Sequence, residues 1–367
     1  MRIAIDAHMI GDHSGGNESY YTNILKNMTV DDKDTVYIFV KSGTPVEEFF
    51  EKFTVVEFEQ KNAFKRNFFE LPKLCKKYKI DVLHTQYFIP FFNPCPVVCT
   101  IHDICFEHFK DIFTKKEYIT QKLLIPYAAR KSDYIFTVSE NAKNDIAASY
   151  NIKKEKIVVT YDAVNDEFRK LSASELKSEE LRSKYNITGD YILSVGNLQP
   201  RKNLVRLIKA YKILKKCNKI EEKLVIVGKK AWLYNDILKE VLNDDGDVIF
   251  TDYVEQSDLI RLYNDAKCFI YPSLFEGFGI PPLEAMACGN VVGVSNTSSL
   301  PEVVGDAGLY FNPYEEEDIA RVINELLNNS KLIEDLKGKS KARVDKFNWK
   351  HSADLIMDCY HSLDKNG

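Results

Sequence analysis

The chain has 367 residues, 45% of them hydrophobic, enough for about two domains that each bury a core. Its formal charge of −4 gives no bulk attraction for nucleic acid, so any anionic partner has to be gripped locally. No apolar run reaches the roughly 20 residues of a membrane span, and Asp6 falls too early for a signal-peptide core, so the eight cysteines read as reduced thiols of a cytoplasmic protein.

Short β-branched or aromatic runs alternate with longer amphipathic ones, the pattern of parallel sheets covered by helices. In the first half strands are expected at Ile3 to Ala7, Val36 to Val40, Thr54 to Phe58, Val82 to Thr85, Val97 to Ile101, Tyr134 to Val138 and Ile157 to Tyr161. The rhythm then repeats, with strands at Tyr191 to Val195, Leu224 to Val227, Val248 to Phe250, Cys268 to Tyr271, Val291 to Val294 and Leu309 to Phe311. Between the halves "NDEFRKLSASELKSEELRSKYNITGD" is polar and charge-rich, as a linker is, and puts the boundary near residue 185. That gives a first domain over 1–185, a second over 186–345 and a terminal segment over 346–367. In the last, Trp349, Ala353, Ile356, Tyr360 and Leu363 make one apolar helical stripe, with Asn348 as its N-cap. Such a helix must dock, on its own domain or back on the first.

Open sheets of this kind bind ligands at the carboxyl ends of their strands. "YPSLFEGFGIPPLEAMACGN" leaves the Cys268 to Tyr271 strand there, carrying Glu276 in a glycine-rich loop. Pro281 and Pro282 suit the first positions of a helix, which puts Glu284 in its first turn. Glu284 alone would be explained by the helix dipole. Two acids beside Gly277 and Gly279, where backbone amides can approach a ligand, point instead to the vicinal hydroxyls of a sugar or ribose.

"SVGNLQPRKNLVRLIKAY" follows another strand end and sets Arg201 and Lys202 just before a helix, suited to a diphosphate. In the first half "HMIGDHSGGNESYY" leaves its strand with Ser14, Gly15 and Gly16 opening a helix, and His102-Asp103 ends the Val97 to Ile101 strand. A buried structural histidine is the alternative for His102. Cys95, Cys99, His102 and Cys105 are close in sequence, but strand alternation puts Cys99 and His102 on opposite faces and no paired C-x-x-C spacing supports zinc. The D-x-D triplets Asp32 to Asp34 and Asp245 to Asp247 lead into strands rather than out of them, so neither is expected to hold a divalent ion.

Together these residues resemble the retaining glycosyltransferases of family 4. The resemblance is carried by "YPSLFEGFGIPPLEAMACGNVVGVSNTSSLPEVVGDAGLYFNP", the family's E-x(7)-E region, with "GNLQPRKNLVRLIKAY", "IHD" and "TVSENAKNDI". It implies an α/β chain of the GT-B fold, two Rossmann-like doubly wound domains facing across a cleft, with the C-terminal helix crossing back to the N-terminal domain. It further implies that Glu284 binds the nucleotide ribose and that Arg201 and Lys202 hold the diphosphate. Glu276 and the amides of Phe278, Gly279 and Ile280 would hold the donor sugar, Gly16 would approach the phosphate, and His102 would sit beside the anomeric centre. Many members carry arginine directly after the glycine of the phosphate strand; here that residue is Asn197.

No metal and no cofactor are expected, because Arg201, Lys202 and the helix-start amides suit the charge that develops on a departing diphosphate. Same-face attack is favoured over a glycosyl-Glu276 intermediate, and the general look of the chain is similar to bacterial mannosyltransferases of surface polysaccharide. GDP-mannose is therefore the expected donor. UDP-glucose or UDP-N-acetylglucosamine is the alternative, and an epimerase, a glucan phosphorylase or a non-catalytic two-domain sugar-binding protein is a more distant one.

"KNAFKRNFFELPKLCKKYKI" mixes Lys61, Lys65, Arg66, Lys73, Lys76, Lys77 and Lys79 with Phe64, Phe68, Phe69, Leu71 and Leu74, and Pro72 is expected to break it. This is either an ordinary helix pair or a face that docks on anionic lipid. The resemblance favours the second, a peripheral contact at the inner face of the cell membrane that brings the enzyme to a lipid-linked acceptor.

Overall fold

The Val-, Ile- and Phe-rich runs all form strands, because a parallel sheet covered on both faces buries every residue of a strand and so selects continuous apolar runs. The computed structural model describes residues 1–11, 15–49, 51–60, 62–229 and 246–364; Ser14, Lys61 and Asp245, named above, lie outside them. The thirteen expected strands are all present, each end within two residues of its expected place.

The first sheet joins β1 (Arg2–Asp6), β2 (Thr35–Lys41), β3 (Thr54–Phe58), β4 (Val82–Gln86), β5 (Val97–Thr100), β6 (Ile135–Thr137) and β7 (Ile157–Val159) in the order β3-β2-β1-β4-β5-β6-β7. The second joins β8 (Tyr191–Val195), β9 (Lys223–Val227), β10 (Val248–Phe250), β11 (Cys268–Tyr271), β12 (Val292–Ser295) and β13 (Gly308–Phe311) in the order β10-β9-β8-β11-β12-β13. Every pairing is parallel. Each sheet reverses its winding once, between β1 and β4 and between β8 and β11, and such a reversal leaves a crevice at the carboxyl ends.

Two units divide the chain: Met1–Asp162 together with the segment from Asn348 onward, and Ala163–Phe347. The boundary therefore falls at residue 162 and not near 185. The stretch expected as a linker is fastened to the second unit, since Phe168 and Leu181 are buried and Phe168 meets the ring of Tyr263. Its cations find carboxylates on the Gln256–Asp265 helix, Arg182 on Asp265 at 2.7 Å and Lys184 on Asp258 at 2.5 Å. Polar composition marked this stretch as surface, and the complementary acids that hold it lie about eighty residues away.

The terminal helix, Trp349–Ser362, belongs to the first unit. Asn348 caps it, accepting from the His351 amide at 3.1 Å. Trp349, Ala353, Ile356 and Tyr360 are buried, and Leu363 is half-buried. Tyr360 Oη lies 2.5 Å from His84 Nδ1, and Ser352 donates to the Tyr161 carbonyl at 2.7 Å. A hydroxyl and an imidazole satisfied in this way fix the helix in one register, because leaving either unpaired in the core would cost about 1–3 kcal/mol.

The basic segment differs from expectation. Pro72 does not break it: helical residues run from Ala63 to Tyr78 through a π-helical turn at Arg66–Glu70 that ends just before Leu71–Tyr78, where the proline occupies an opening position. Arg66 is buried, with its guanidinium over the Phe58 ring, and Leu71 and Leu74 are core residues. No helix among the described residues is long and apolar enough to cross a membrane.

Candidate functional site

Because β8 and β11 are hydrogen-bonded neighbours, the loops that leave them run side by side. The Leu274 amide donates to the Arg201 carbonyl at 2.8 Å, and Ser273 Oγ lies 3.2 Å from the same oxygen. Arg201 and Lys202 lie in a short 3-10 turn, Pro200–Lys202, ahead of the Leu204–Lys216 helix. The crossing of backbones here is close: a Cβ on Gly228, at the end of β9, would lie 2.1 Å from the Gly196 carbonyl oxygen.

These loops meet at Glu276, which is buried. Its Oε2 accepts from Arg201 Nη1 at 2.9 Å, and its Oε1 accepts from Lys202 Nζ at 2.6 Å, from Ser273 Oγ at 2.5 Å and from Tyr271 Oη at 3.0 Å. Burial works against charge on this carboxyl, but the two cations and the hydrogen bonds overcome it and hold its pKa down to about 2. Lys202 also donates to Tyr271 Oη at 2.6 Å with its ammonium 4.9 Å from the centre of that ring. So the residues that sequence placed on a diphosphate grip the acid that sequence placed on the sugar.

Four residues of this network were not anticipated: Tyr271, Ser273 and the Ser298–Ser299 pair. Ser298 Oγ accepts from the Glu276 amide at 3.0 Å, and the single hydroxyl hydrogen of Ser299 can go to either of two carbonyls within reach of its Oγ, those of Glu276 at 2.9 Å and Phe278 at 2.7 Å. Tyr271 and Ser273 stand inside the quoted "YPSLFEG" stretch, where strand alternation puts Tyr271 at the end of β11 beside the loop. The serines come from the turn after β12, which no local pattern ties to Glu276.

The loop ends in the Ile280–Ala287 helix, capped by Gly279 at φ +99. A side chain is excluded there twice, by the left-handed backbone and by Leu300 Cδ2, which a Cβ would meet at 2.7 Å. Pro281 and Pro282 carry no amide hydrogen, and the amides of Gly279 and Ile280 meet no acceptor among the described residues. They are the donors this helix start offers.

Glu284 falls at the start of the second turn and not in the first, because the helix begins at Ile280, one residue before the prolines. It accepts from Tyr263 Oη at 2.8 Å, and desolvation of its carboxyl pushes its pKa up to about 7. A carboxyl of that kind does not serve the helix dipole. Tyr271 lies between the two acids, its own ionisation made harder by burial first, then by the charge of Glu276 and, more weakly, of Glu284. Asn197 does not supply the missing arginine; its Oδ1 accepts from the Lys229 amide at 3.3 Å.

In the first unit, Gly16 opens the Gly16–Asn27 helix and is exposed. His102 follows β5 and is buried between the edge-on ring of Tyr20, at 4.8 Å, and Tyr87, at 5.7 Å. The Gln86 side-chain amide lies 2.7 Å from His102 Nε2, and an amide nitrogen can only donate, so the imidazole accepts there and carries its proton on Nδ1. Burial lowers its pKa to about 3, which leaves it neutral at ordinary pH. Among the described residues the one cluster with metal-ligand spacing is Asp31, Asp34 and His361, and Asp34 there binds the N-terminal ammonium at 2.9 Å. Cys95, Cys99, His102 and Cys105 form no such cluster.

Comparison with known proteins matches both units. The family model for Glycosyl transferases group 1 covers residues 177–343 and that for Glycosyltransferase Family 4 covers residues 14–168. The chain is 31% identical over 292 residues to O-antigen chain mannosyltransferase B of Escherichia coli, an alignment that takes in 78% of this chain and 76% of that one. It is 32% identical over 286 residues to the serotype-specific mannosyltransferase WbdA of Escherichia coli, covering 75% of this chain but 34% of that protein, so it spans about a third of the length of those relatives. Among solved structures, Anabaena Alr3699/HepE in complex with UDP and glucose superimposes with a TM-score of 0.74 at 19% identity, over 99% of this chain and 100% of that one.

Proposed function

The chain belongs to the glycosyltransferases of family 4, with the GT-B fold, and from that membership we propose that it transfers mannose from GDP-mannose, with retention, to a saccharide or lipid-linked acceptor in the building of cell-surface polysaccharide. Mannosyl transfer is the activity named for its O-antigen relatives. The observation that carries the assignment of roles is the convergence of Arg201, Lys202 and Glu276 where β8 meets β11.

A nucleoside diphosphate entering there offers oxygens that compete with Glu276 for the two cations. As Arg201 and Lys202 turn to the diphosphate, the Glu276 carboxylate gains acceptor capacity for the sugar hydroxyls beside it. Bond cleavage then builds negative charge on the leaving diphosphate, and cations and helix-start amides already aimed at it stabilise that charge more than they stabilise the ground state. Glu284 accepts from the ribose hydroxyls, one turn along the same helix. His102, neutral and held at Nε2 by Gln86, presents Nδ1–H as a donor to a sugar hydroxyl and not as an acid. The leaving phosphate takes the acceptor proton, so that attack occurs on the face being vacated. No metal or cofactor enters this scheme.

Thermal-shift titration against GDP, UDP and ADP tests the donor, because a ligand that binds only the folded state raises stability by mass action. GDP should give the largest shift, and release of GDP from GDP-mannose should follow. A shift with UDP alone would move the donor to UDP-glucose or UDP-N-acetylglucosamine. An inverted anomeric configuration in the product, read by NMR, would remove retention.

A further inference from the structure

The turn after β12 gives up two local preferences. Ser298 holds its backbone at φ +52, a left-handed conformation that disfavours any residue with a Cβ and that glycine adopts freely. Ser299 stands at the N-cap of the Leu300–Val304 helix, where a serine oxygen ordinarily accepts from an amide of the first turn, yet it makes no such bond. Neither the turn nor the helix, then, explains serine at these two positions. Departures of this kind persist where a contact elsewhere requires them.

That contact is the Glu276 loop. Thr297 Oγ1 lies 3.4 and 3.3 Å from the carbonyls of Ser273 and Leu274, Ser298 Oγ accepts from the Glu276 amide, and the Ser299 hydroxyl reaches the carbonyls of Glu276 and Phe278. Three consecutive hydroxyls thus span the loop from Ser273 to Phe278. In an extended chain successive side chains alternate faces, so three in a row could not all meet one loop. The left-handed residue in the middle turns the chain and brings them to the same side. Leu300, next in line, fills the space beside Gly279, where a Cβ would meet its Cδ2 at 2.7 Å. The clasp therefore holds the segment that carries the Glu276 carboxylate along its length, up to the Gly279 and Ile280 amides at the helix start.

We propose that Ser298 is a positioning residue of the donor site: its hydroxyl holds the Glu276 backbone so that the carboxylate and the helix-start amides meet a donor sugar in one geometry, and the left-handed strain is retained for that purpose. This rests on the donor-binding reading given above. Ser298→Gly separates fold from function, because it relieves the backbone strain while removing the hydroxyl. Its melting temperature should equal or exceed that of wild type, and its thermal shift with GDP should be unchanged, since Ser298 does not touch Arg201 or Lys202. Its kcat with GDP-mannose should nevertheless fall about tenfold, the scale of one lost hydrogen bond. Ser298→Ala keeps the strain and should show the same loss of kcat with a lower melting temperature. Hydrogen exchange at the Glu276 amide, followed by NMR without any ligand, should be faster in both variants. Wild-type kcat in Ser298→Gly, or unchanged exchange at the Glu276 amide, overturns the proposal. So does a loss of the GDP shift that parallels the loss of kcat, since the hydroxyl would then support the loop as a whole and not the sugar geometry. Wild-type protein that does not turn over GDP-mannose fails the donor reading itself, a result distinct from all of these, and takes the proposal with it.

Discussion

At the carboxyl edge of the first sheet His102, just after β5, is buried and neutral, lowered by burial to about 3, beside Tyr20 and Tyr87. At the corresponding edge of the second sheet Arg201, Lys202 and Glu276 carry three charges within hydrogen-bond reach of one another. The first edge is made mainly of ring faces and a neutral imidazole, and its buried carboxylate, Asp6 at the end of β1, is held locally by His8 at 2.9 Å. The second is a charge network that can exchange partners. A buried ion pair is weak evidence for stability in itself, because desolvation offsets most of its Coulomb energy. In the proposed donor-binding role, its use would lie in keeping two partly exposed cations aimed where a diphosphate would replace the carboxylate.

The strongest way to break that contrast is to remove the cations. Lys202→Ala combined with Arg201→Ala should cost on the order of 2 to 4 kcal/mol of transition-state stabilisation, seen in kcat/KM with GDP-mannose. Because those charges hold Glu276 at about 2, its carboxyl should also titrate at a higher pH in this variant, measurable by NMR of the labelled side chain. Near wild-type kcat/KM would return the pair to an ordinary surface ion network.

An intermediate effect is expected from Glu284. Its carboxyl is raised from an ordinary 4.5 to about 7, so the folded protein binds that proton more tightly than the unfolded chain does. The stability this group contributes is therefore complete below about 4.5 and lost as pH rises through about 7. Ribose hydroxyls, as donors, favour the ionised form, so GDP affinity should rise several-fold across that window while the unliganded melting temperature falls. Glu284→Gln should flatten both profiles and weaken GDP by roughly 1–3 kcal/mol, the usual scale for hydrogen bonds to a charged group. Calorimetric titration on either side of neutrality checks this, and a pH-independent affinity in the wild type would remove the ribose assignment.

The smallest effect sharpens the comparison from the other side. His102→Ala should leave GDP affinity alone and lower kcat about tenfold, the scale of one hydrogen bond lost next to the changing bonds. Since burial keeps this imidazole neutral down to about 3, the kcat profile of the wild type should show no limb from it near 6.5. A limb there that disappears in His102→Ala would make it an acid and contradict the neutral environment.

The sequence determined the strands, because a fully buried parallel strand demands a continuous apolar run and thirteen such runs are visible. It also marked the candidate loops: glycines, prolines and charged residues directly after a strand are readable locally, and Arg201, Lys202, Glu276, Glu284, Gly16 and His102 were singled out in that way. Tertiary structure alone decided that Glu276 is clasped by the two cations, since that depends on β8 lying beside β11, seventy-odd residues apart in the chain. It decided that Ser298 and Ser299 hold the Glu276 loop. It also decided that the charge-rich stretch after Asp162 is clamped by Asp258 and Asp265, and that the terminal helix is fixed by His84 and Tyr360. The dividing line is physical: periodicity and turn chemistry act over a few residues and leave their mark on neighbours, whereas a hydrogen bond or ion pair between distant segments needs only two residues whose types are common everywhere on a protein surface.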